Sequence, residues 1–193
     1  FNAITVEQKK SGEFFQSIKE RNIYHLPEGD LLIQVKYSSL NYKDSLSYSG
    51  NKGVTKIYPH TPGIDAMGIV EFSKTKDFNK GDKIIITGYD LGMNTPGGFG
   101  EYIRVPREWV NLLPEKLGDS ESMILGTAGM TAGLCVNAML EKHKIKGEEA
   151  IVTGATGGVG CITVMLLTKL GAKVTAITGK TNSQDFLYSI GAK

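Results

Sequence analysis

From Leu31 to Tyr37 the side chains alternate, with Ile33 and Val35 on one side of an extended backbone and Gln34 and Lys36 on the other, the period of a half-buried strand. Further apolar runs at residues 68–72, 83–87, 101–105 and 110–113 predict short strands. Pro59, Pro62, Gly81-Asp82, Pro96-Gly97-Gly98 and Pro106 punctuate them with turns. Short strands separated by turns predict a small barrel or sandwich-like β domain.

The period changes at Ser120, a good N-cap before Glu121, and up to Lys144 the residues Ala, Met and Leu recur at helical spacing. A domain boundary is therefore expected near Asp119, dividing residues 1–119 from 120–193. An apolar run at 150–152 then breaks into glycines, and from Gly158 the residues Val159, Ile162, Val164, Met165, Leu166 and Leu170 supply a broadly apolar helix. Gly171 is placed to cap it, and residues 173–178 read as a second, parallel strand.

Strand, glycine turn, helix, glycine cap and strand, in that order, predict a dinucleotide-binding βαβ unit. Glycines let the backbone approach a pyrophosphate, and the helix N-terminus offers free N–H groups and a positive dipole end. The spacing, with glycines at 154, 157, 158 and 160, departs from G-x-G-x-x-G, so context carries the reading rather than the bare motif. A glycine turn without a nucleotide is the alternative. Thr156, Gly157, Gly158 and Val159 are the candidate residues for the pyrophosphate. After the second strand comes Thr178-Gly179-Lys180-Thr181-Asn182-Ser183, with no acid until Asp185. NAD sites carry Asp or Glu there for the ribose hydroxyls. Lys180, with Gly179 and the hydroxyls of Thr178 and Ser183, suits a 2′-phosphate and favours NADPH, unless Lys180 is simply a solvated loop lysine.

Composition narrows the classes. The formal net charge of +2 is spread rather than clustered, which gives no electrostatic footprint for nucleic acid or an anionic membrane. Cys135 and Cys161 sit in apolar helical contexts and are expected to be core thiols, consistent with a reducing, cytoplasmic compartment. The apolar region 159–178 is interrupted by Lys169, Gly171 and Lys173, which argues against a membrane span there. No signal peptide is visible, although a chain opening on Phe1 limits that reading.

Asn41-Tyr42-Lys43-Asp44, Pro62-Gly63-Ile64-Asp65-Ala66-Met67-Gly68, Gly81-Asp82, Gly97-Gly98-Phe99-Gly100-Glu101-Tyr102 and Gly126-Thr127-Ala128-Gly129-Met130-Thr131-Ala132 resemble the medium-chain dehydrogenase/reductase superfamily. Within it the chain is most similar to the zinc-free quinone oxidoreductase branch and its YhdH/YhfP group of acryloyl-CoA reductases, to which the 126–132 run and Thr178-Gly179-Lys180 point. The resemblance implies an α/β chain: a GroES-like β-rich catalytic domain followed by the first part of a Rossmann doubly wound parallel sheet. It also implies an NADPH-dependent reductase, acting on an enoyl-CoA, an enone or a quinone, that forms a homodimer at full length.

Where the zinc enzymes carry a His-Glu pair this chain has Ile64-Asp65, and Asn41 to Asp44 stand in the segment of their cysteine ligand, so no metal is expected. By resemblance Asn41 and Tyr42 lie between cofactor and substrate, Tyr42 touching the nicotinamide portion, and both types can donate to a developing enolate. A loop-ordering role for them stays equally open. Thr131 is a candidate near the nicotinamide, whereas Asp44 and Asp65 read as structural. Tyr48 and Tyr58 flank a polar loop that could form the substrate mouth, and no basic constellation for CoA is evident in the sequence. Family members run well over a hundred residues further, so the chain reads as an N-terminal portion, expected to be catalytically silent alone, to bind NADPH weakly at best, and either to self-associate through the open edge of its second parallel strand or to be accompanied by further residues. A non-catalytic, NADPH-responsive binding protein, like the crystallin-type relatives, is the competing function.

Overall fold

The computed structural model describes residues 1–193, which divide into two compact units, Phe1–Thr127 and Ala128–Lys193. The expected boundary near Asp119 falls at the first residue of the helix that leads from one unit into the other.

In the first unit, β1 (Asn2–Gln8) and β2 (Phe14–Glu20) form an antiparallel hairpin. Strands β3 (Leu31–Tyr37), β4 (Asp65–Ser73), β5 (Lys83–Thr87), β6 (Tyr102–Val105) and β7 (Asn111–Leu112) make one antiparallel sheet in the order β6-β3-β4-β5-β7. Between β3 and β4 lies a short helix, α1 (Tyr42–Tyr48). The alternation of β3 sends Leu31 and Ile33 into a core with Ala66, Val70, Ile84, Ile86, Ile103 and Val105. All of these are fully buried.

β4 begins three residues earlier than its apolar run predicts, because Asp65, Ala66 and Met67 pair with Thr87, Ile86 and Ile85. Gly68 on that strand is required by close approach: a Cβ there would lie 2.5 Å from the Gln34 carbonyl oxygen. The hairpin β1-β2 carried no sequence signal. Its buried positions include Thr5, and Ile18 faces outward at 75% exposure, so the alternation is blurred.

The second helix, α2 (Asp119–Leu140), is interrupted at Gly126, whose φ of 49° and ψ of −151° are not helical. By length and composition alone α2 could span a membrane; Ser122, Met123, Ala132 and Val136 along it are buried, while Ile124 and Leu134 are exposed. In the second unit, β8 (Glu149–Thr153) and β9 (Lys173–Ile177) pair in parallel across α3 (Gly158–Lys169), and α4 (Gln184–Ser189) follows. Gly171 and Gly191 adopt positive φ past the ends of α3 and α4, as helix-stopping glycines do. Val136, Val152, Val164, Leu167, Val174 and Leu187 make the core of this unit.

One expectation is corrected. Cys135 is exposed and Cys161 only half-buried, its thiol bonded to the Gly158 carbonyl at 3.3 Å, so neither is a core thiol in this chain. Apolar helical context marks a helix face without fixing which part of that face is covered.

Candidate functional site

In the first unit two buried carboxylates organise the segment that carries Asn41 and Tyr42. Asp44, in the first turn of α1, accepts the Asn41 backbone N–H at 2.8 Å, closing a reciprocal cap with Asn41. Its other oxygen accepts the N–H groups of Gly63 at 3.2 Å and Ile64 at 2.9 Å. Burial pushes its pKa above the ordinary range; the amide donors from Asn41 and Ile64 oppose that and the Asp65 charge adds to it.

Asp65 is fully buried and accepts three hydrogen bonds: from Asn41 Nδ2 at 2.9 Å, from the Thr127 N–H at 2.9 Å and from Thr127 Oγ1 at 2.5 Å. Ser38 donates to the Asp65 carbonyl and Ser39 to that of Met123, each at 2.6 Å. The loop before α1 is thereby drawn onto the helix break. Gly126 is needed there, since a Cβ would lie 2.3 Å from Ser39 Oγ and 2.6 Å from Asp65 Oδ2.

The structure therefore commits one of the two amide N–H donors of Asn41 to Asp65. Tyr42, by contrast, is 80% exposed at the start of α1. The aromatic residues expected at a loop mouth separate: Tyr48 is exposed, while Tyr58 donates its hydroxyl to the Ser47 carbonyl at 3.0 Å and packs edge-on against Phe14. The clasp of Asn41, Asp65 and Thr127 had no local signal, because its members lie 24 and 62 residues apart in sequence.

In the second unit the glycine turn leads from β8 into α3. Gly154 has φ 61° and nothing within 4 Å of the place a Cβ would take, so the backbone is open on that side. Gly160 is held by close packing, its Cβ position lying 2.2 Å from the Gly154 carbonyl oxygen. The first N–H groups of α3, from Gly158 onward, have no intrahelical acceptor and form an anion-ready end.

The hydroxyls of Thr156 and Thr178 meet at 2.9 Å across the ends of β8 and β9, and the Lys180 N–H donates to Thr178 Oγ1 at 3.1 Å. Ser183 donates to the Lys180 carbonyl at 2.8 Å. Gly179 and Lys180 are exposed, Val159 is exposed in the first turn of α3, and Thr131 is half-buried on α2. A cavity of about 360 Å³ beside the end of β9 is lined by Thr178, Lys180, Asn182, Ser183, Tyr188 and Lys193. No carboxylate side chain lines it. Lys193, Asn182 and Tyr188 were not among the sequence candidates. An open backbone turn, a free helix N-terminus and a neighbouring cavity carrying Lys180 can receive an anionic ligand.

Residues 27–115 match the alcohol dehydrogenase GroES-like domain. The acrylyl-CoA reductase AcuI of Ruegeria pomeroyi is 39% identical over 194 residues, a stretch covering all of this chain and 59% of that protein. The yhdH oxidoreductase of Salmonella enterica, solved in complex with NADP, superposes with a TM-score of 0.95 at 39% identity, covering 100% of this chain and 60% of that one. The yhfP protein of Bacillus subtilis, solved with NAD bound, gives 0.93 at 39% identity, with 100% and 59% covered. The chain thus spans about three-fifths of the length of these relatives. Over that length it belongs to the medium-chain dehydrogenase/reductase superfamily, in its YhdH/YhfP group of acrylyl-CoA reductases and quinone oxidoreductases.

Proposed function

We propose that the protein containing this chain is an NADPH-dependent, metal-independent reductase that transfers hydride to the activated double bond of an acryloyl-CoA-like enoyl thioester, with quinones as the other acceptor class. The observation that carries the cofactor choice is the cavity at the end of β9, where Lys180 and Lys193 stand without any Asp or Glu. A ribose 2′-phosphate is favoured by cations and repelled by the acid that NAD sites use.

NADPH supplies the hydride when bound. Thr156, Gly157, Gly158 and Val159 would hold its pyrophosphate, and Gly179, Lys180 and Ser183 its phosphorylated ribose. Thr178 acts one step back, fixing the turn through Thr156 and Lys180. Hydride addition to the β-carbon leaves negative charge on the thioester oxygen, which needs a hydrogen-bond donor. Tyr42, exposed at the start of α1, is the residue we assign to a ligand. Asn41 is assigned to positioning, because Asp65 holds one of its amide donors and fixes the side chain on the loop before α1.

Steady-state turnover by the natural full-length protein tests this. Acryloyl-CoA should be reduced with NADPH far faster than with NADH, and chelators should leave the rate unchanged. Lys180→Glu should raise KM for NADPH about tenfold or more by setting like charge against the phosphate, with a smaller effect on NADH. Equal use of NADH, in keeping with the NAD bound to yhfP, would overturn the cofactor choice. Nucleotide binding without turnover of any enone, thioester or quinone would overturn the reaction.

A further inference from the structure

Between Asn41 and Thr61 the chain carries Lys43, Lys52 and Lys56 but only one carboxylate, Asp44, which is 2% exposed. The exposed charge of this stretch is therefore wholly positive, in a chain whose total is only +2. Lys9, Lys19, Lys80 and Lys83 have acidic partners in ion pairs, whereas these three, like most lysines of the chain, have none.

Contacts draw the three together. Lys52 Nζ sits 4.7 Å from the Tyr58 ring centre and 5.4 Å from that of Phe14, and donates to Gln8 Oε1 at 3.2 Å and the Lys56 carbonyl at 3.3 Å. The Lys56 N–H donates to Asn94 Oδ1 at 3.2 Å. Next along the chain, Met93 receives Lys43 Nζ on its sulfur at 3.8 Å. The carboxylate on this loop, Asp90, has its two oxygens engaged by Asn94 and Thr95. Leu40, Tyr42 and Ile57, on the same stretch, are 89%, 80% and 74% exposed.

An exposed apolar strip set among unpaired cations matches a ligand that is itself half apolar and half polyanionic. We propose that Lys43, Lys52 and Lys56 receive the phosphates of the CoA portion of a thioester substrate, while Leu40, Tyr42 and Ile57 meet its acyl and pantetheine arm. This rests on the enoyl-thioester reading of the reaction and selects it over quinones, which carry no phosphate for the lysines to hold. Lys52 is the pre-ordered cation, fixed by two rings and two oxygens. Lys43, with its Nζ on the Met93 sulfur, and Lys56, with its backbone bonded to Asn94, add charge beside it.

The test compares two substrates of the natural full-length protein: acryloyl-CoA and the acryloyl thioester of N-acetylcysteamine, which has the reactive group but no phosphate. KM should be lower for the CoA thioester, and that preference should weaken with salt, as screening requires. Reversing two exposed charges in Lys43→Glu/Lys56→Glu should cut the preference about tenfold, with KM for NADPH unmoved. The Lys43→Arg/Lys56→Arg variant should retain the preference, and Lys76→Glu, a charge reversal elsewhere on the unit, should leave it intact. A wild-type protein that uses both thioesters with the same KM, or a double variant that keeps its preference, would overturn the proposal and leave the reductase reading standing. Turnover of quinones but of neither thioester would overturn both. Raised KM for NADPH in the double variant would move the lysines to the cofactor and overturn their assignment to CoA.

Discussion

The two units use the same strand chemistry to opposite effect. In Phe1–Thr127 the sheet residues Leu31, Ile33, Ile84, Ile86, Ile103 and Val105 are all fully buried. In Ala128–Lys193 the two parallel strands bury Val152 and Val174, while Ile151 and Ile177 on the same strands are 70% and 49% exposed. An antiparallel sheet can close over one face and leave the other polar, but a parallel sheet is built to be covered on both. The buried polar side chains divide in the same way: Thr5, Ser39, Asp44, Ser47, Thr55, His60, Thr61, Asp65 and Ser122 all belong to the first unit. The first unit therefore holds its own core and its own buried hydrogen-bond network. The second carries a glycine turn on a two-stranded parallel sheet whose face with Ile151 and Ile177 is exposed in this chain, which spans about three-fifths of its relatives' length.

The sharpest test compares one residue type in both settings. Ile86→Ala should cost about 3–4 kcal/mol, the transfer term plus a cavity in a packed core. Ile151→Ala removes side chain that water already reaches, and should cost less than about 0.5 kcal/mol in this chain. The only tryptophan, Trp109, packs against the first core and stacks on Tyr89, so its fluorescence follows that unit during denaturation. Hydrogen exchange at β8 and β9 follows the other. A large cost at Ile151 would mean that its face is covered, as it would be by self-association of the chain.

A smaller effect is expected at the clasp. Asp65→Ala strands the Asn41 amide, the Thr127 N–H and the Thr127 hydroxyl together, and should destabilise the first unit by about 2–3 kcal/mol. Asp65→Asn keeps the shape but places an NH2 group against a donor, so it should recover only part of the loss. If Asp65→Asn is as stable as wild type, the carboxylate charge has no structural role and the clasp is held by packing. In the full-length protein both variants should lower kcat more than they raise KM for NADPH, since they disturb the segment carrying Tyr42 and not the glycine turn.

Much of this was legible in the chain. The alternation of β3, the glycine turn, the cap at Gly171 and the absence of acid after β9 are local patterns, and local patterns survive folding. What could not be read is what depends on distant partners. Asp65 looks like a turn residue until Thr127 and Asn41 reach it, and Asn41 looks like a free donor until Asp65 takes one of its amide N–H groups. Lys43 and Lys56 look like scattered surface lysines until the loop at Met93 and Asn94 meets the head of one and the backbone of the other. The Gly126 break shows the same limit. Its neighbours spell an apolar helix, and only the pressure of Ser39 shows why a glycine must stand there.

The smallest expected effect is a pH dependence confined to the first unit. Burial holds His60 below its ordinary 6.5, against the opposing influence of the Gly92 carbonyl and Asp90. The folded state thus prefers the neutral ring, a contribution complete above 6.5 and lost as pH falls through the lowered value. Asp44 has the opposite sign. Raised above 3.8 by burial, it favours the folded state fully below that value and loses this contribution as pH rises through its folded pKa. Descending from about pH 7 to about pH 5 crosses the ordinary histidine value, so the His60 loss should lower the urea midpoint reported by Trp109, against any Asp44 gain in the same window. His60→Gln, which can still donate to the Gly92 carbonyl, should flatten that descent, and Asp44→Asn should leave it in place. Exchange protection at β8 and β9 should not follow the same curve, because neither group lies in their unit. An unchanged slope in His60→Gln would assign the descent to other groups and remove the pH contrast between the two units.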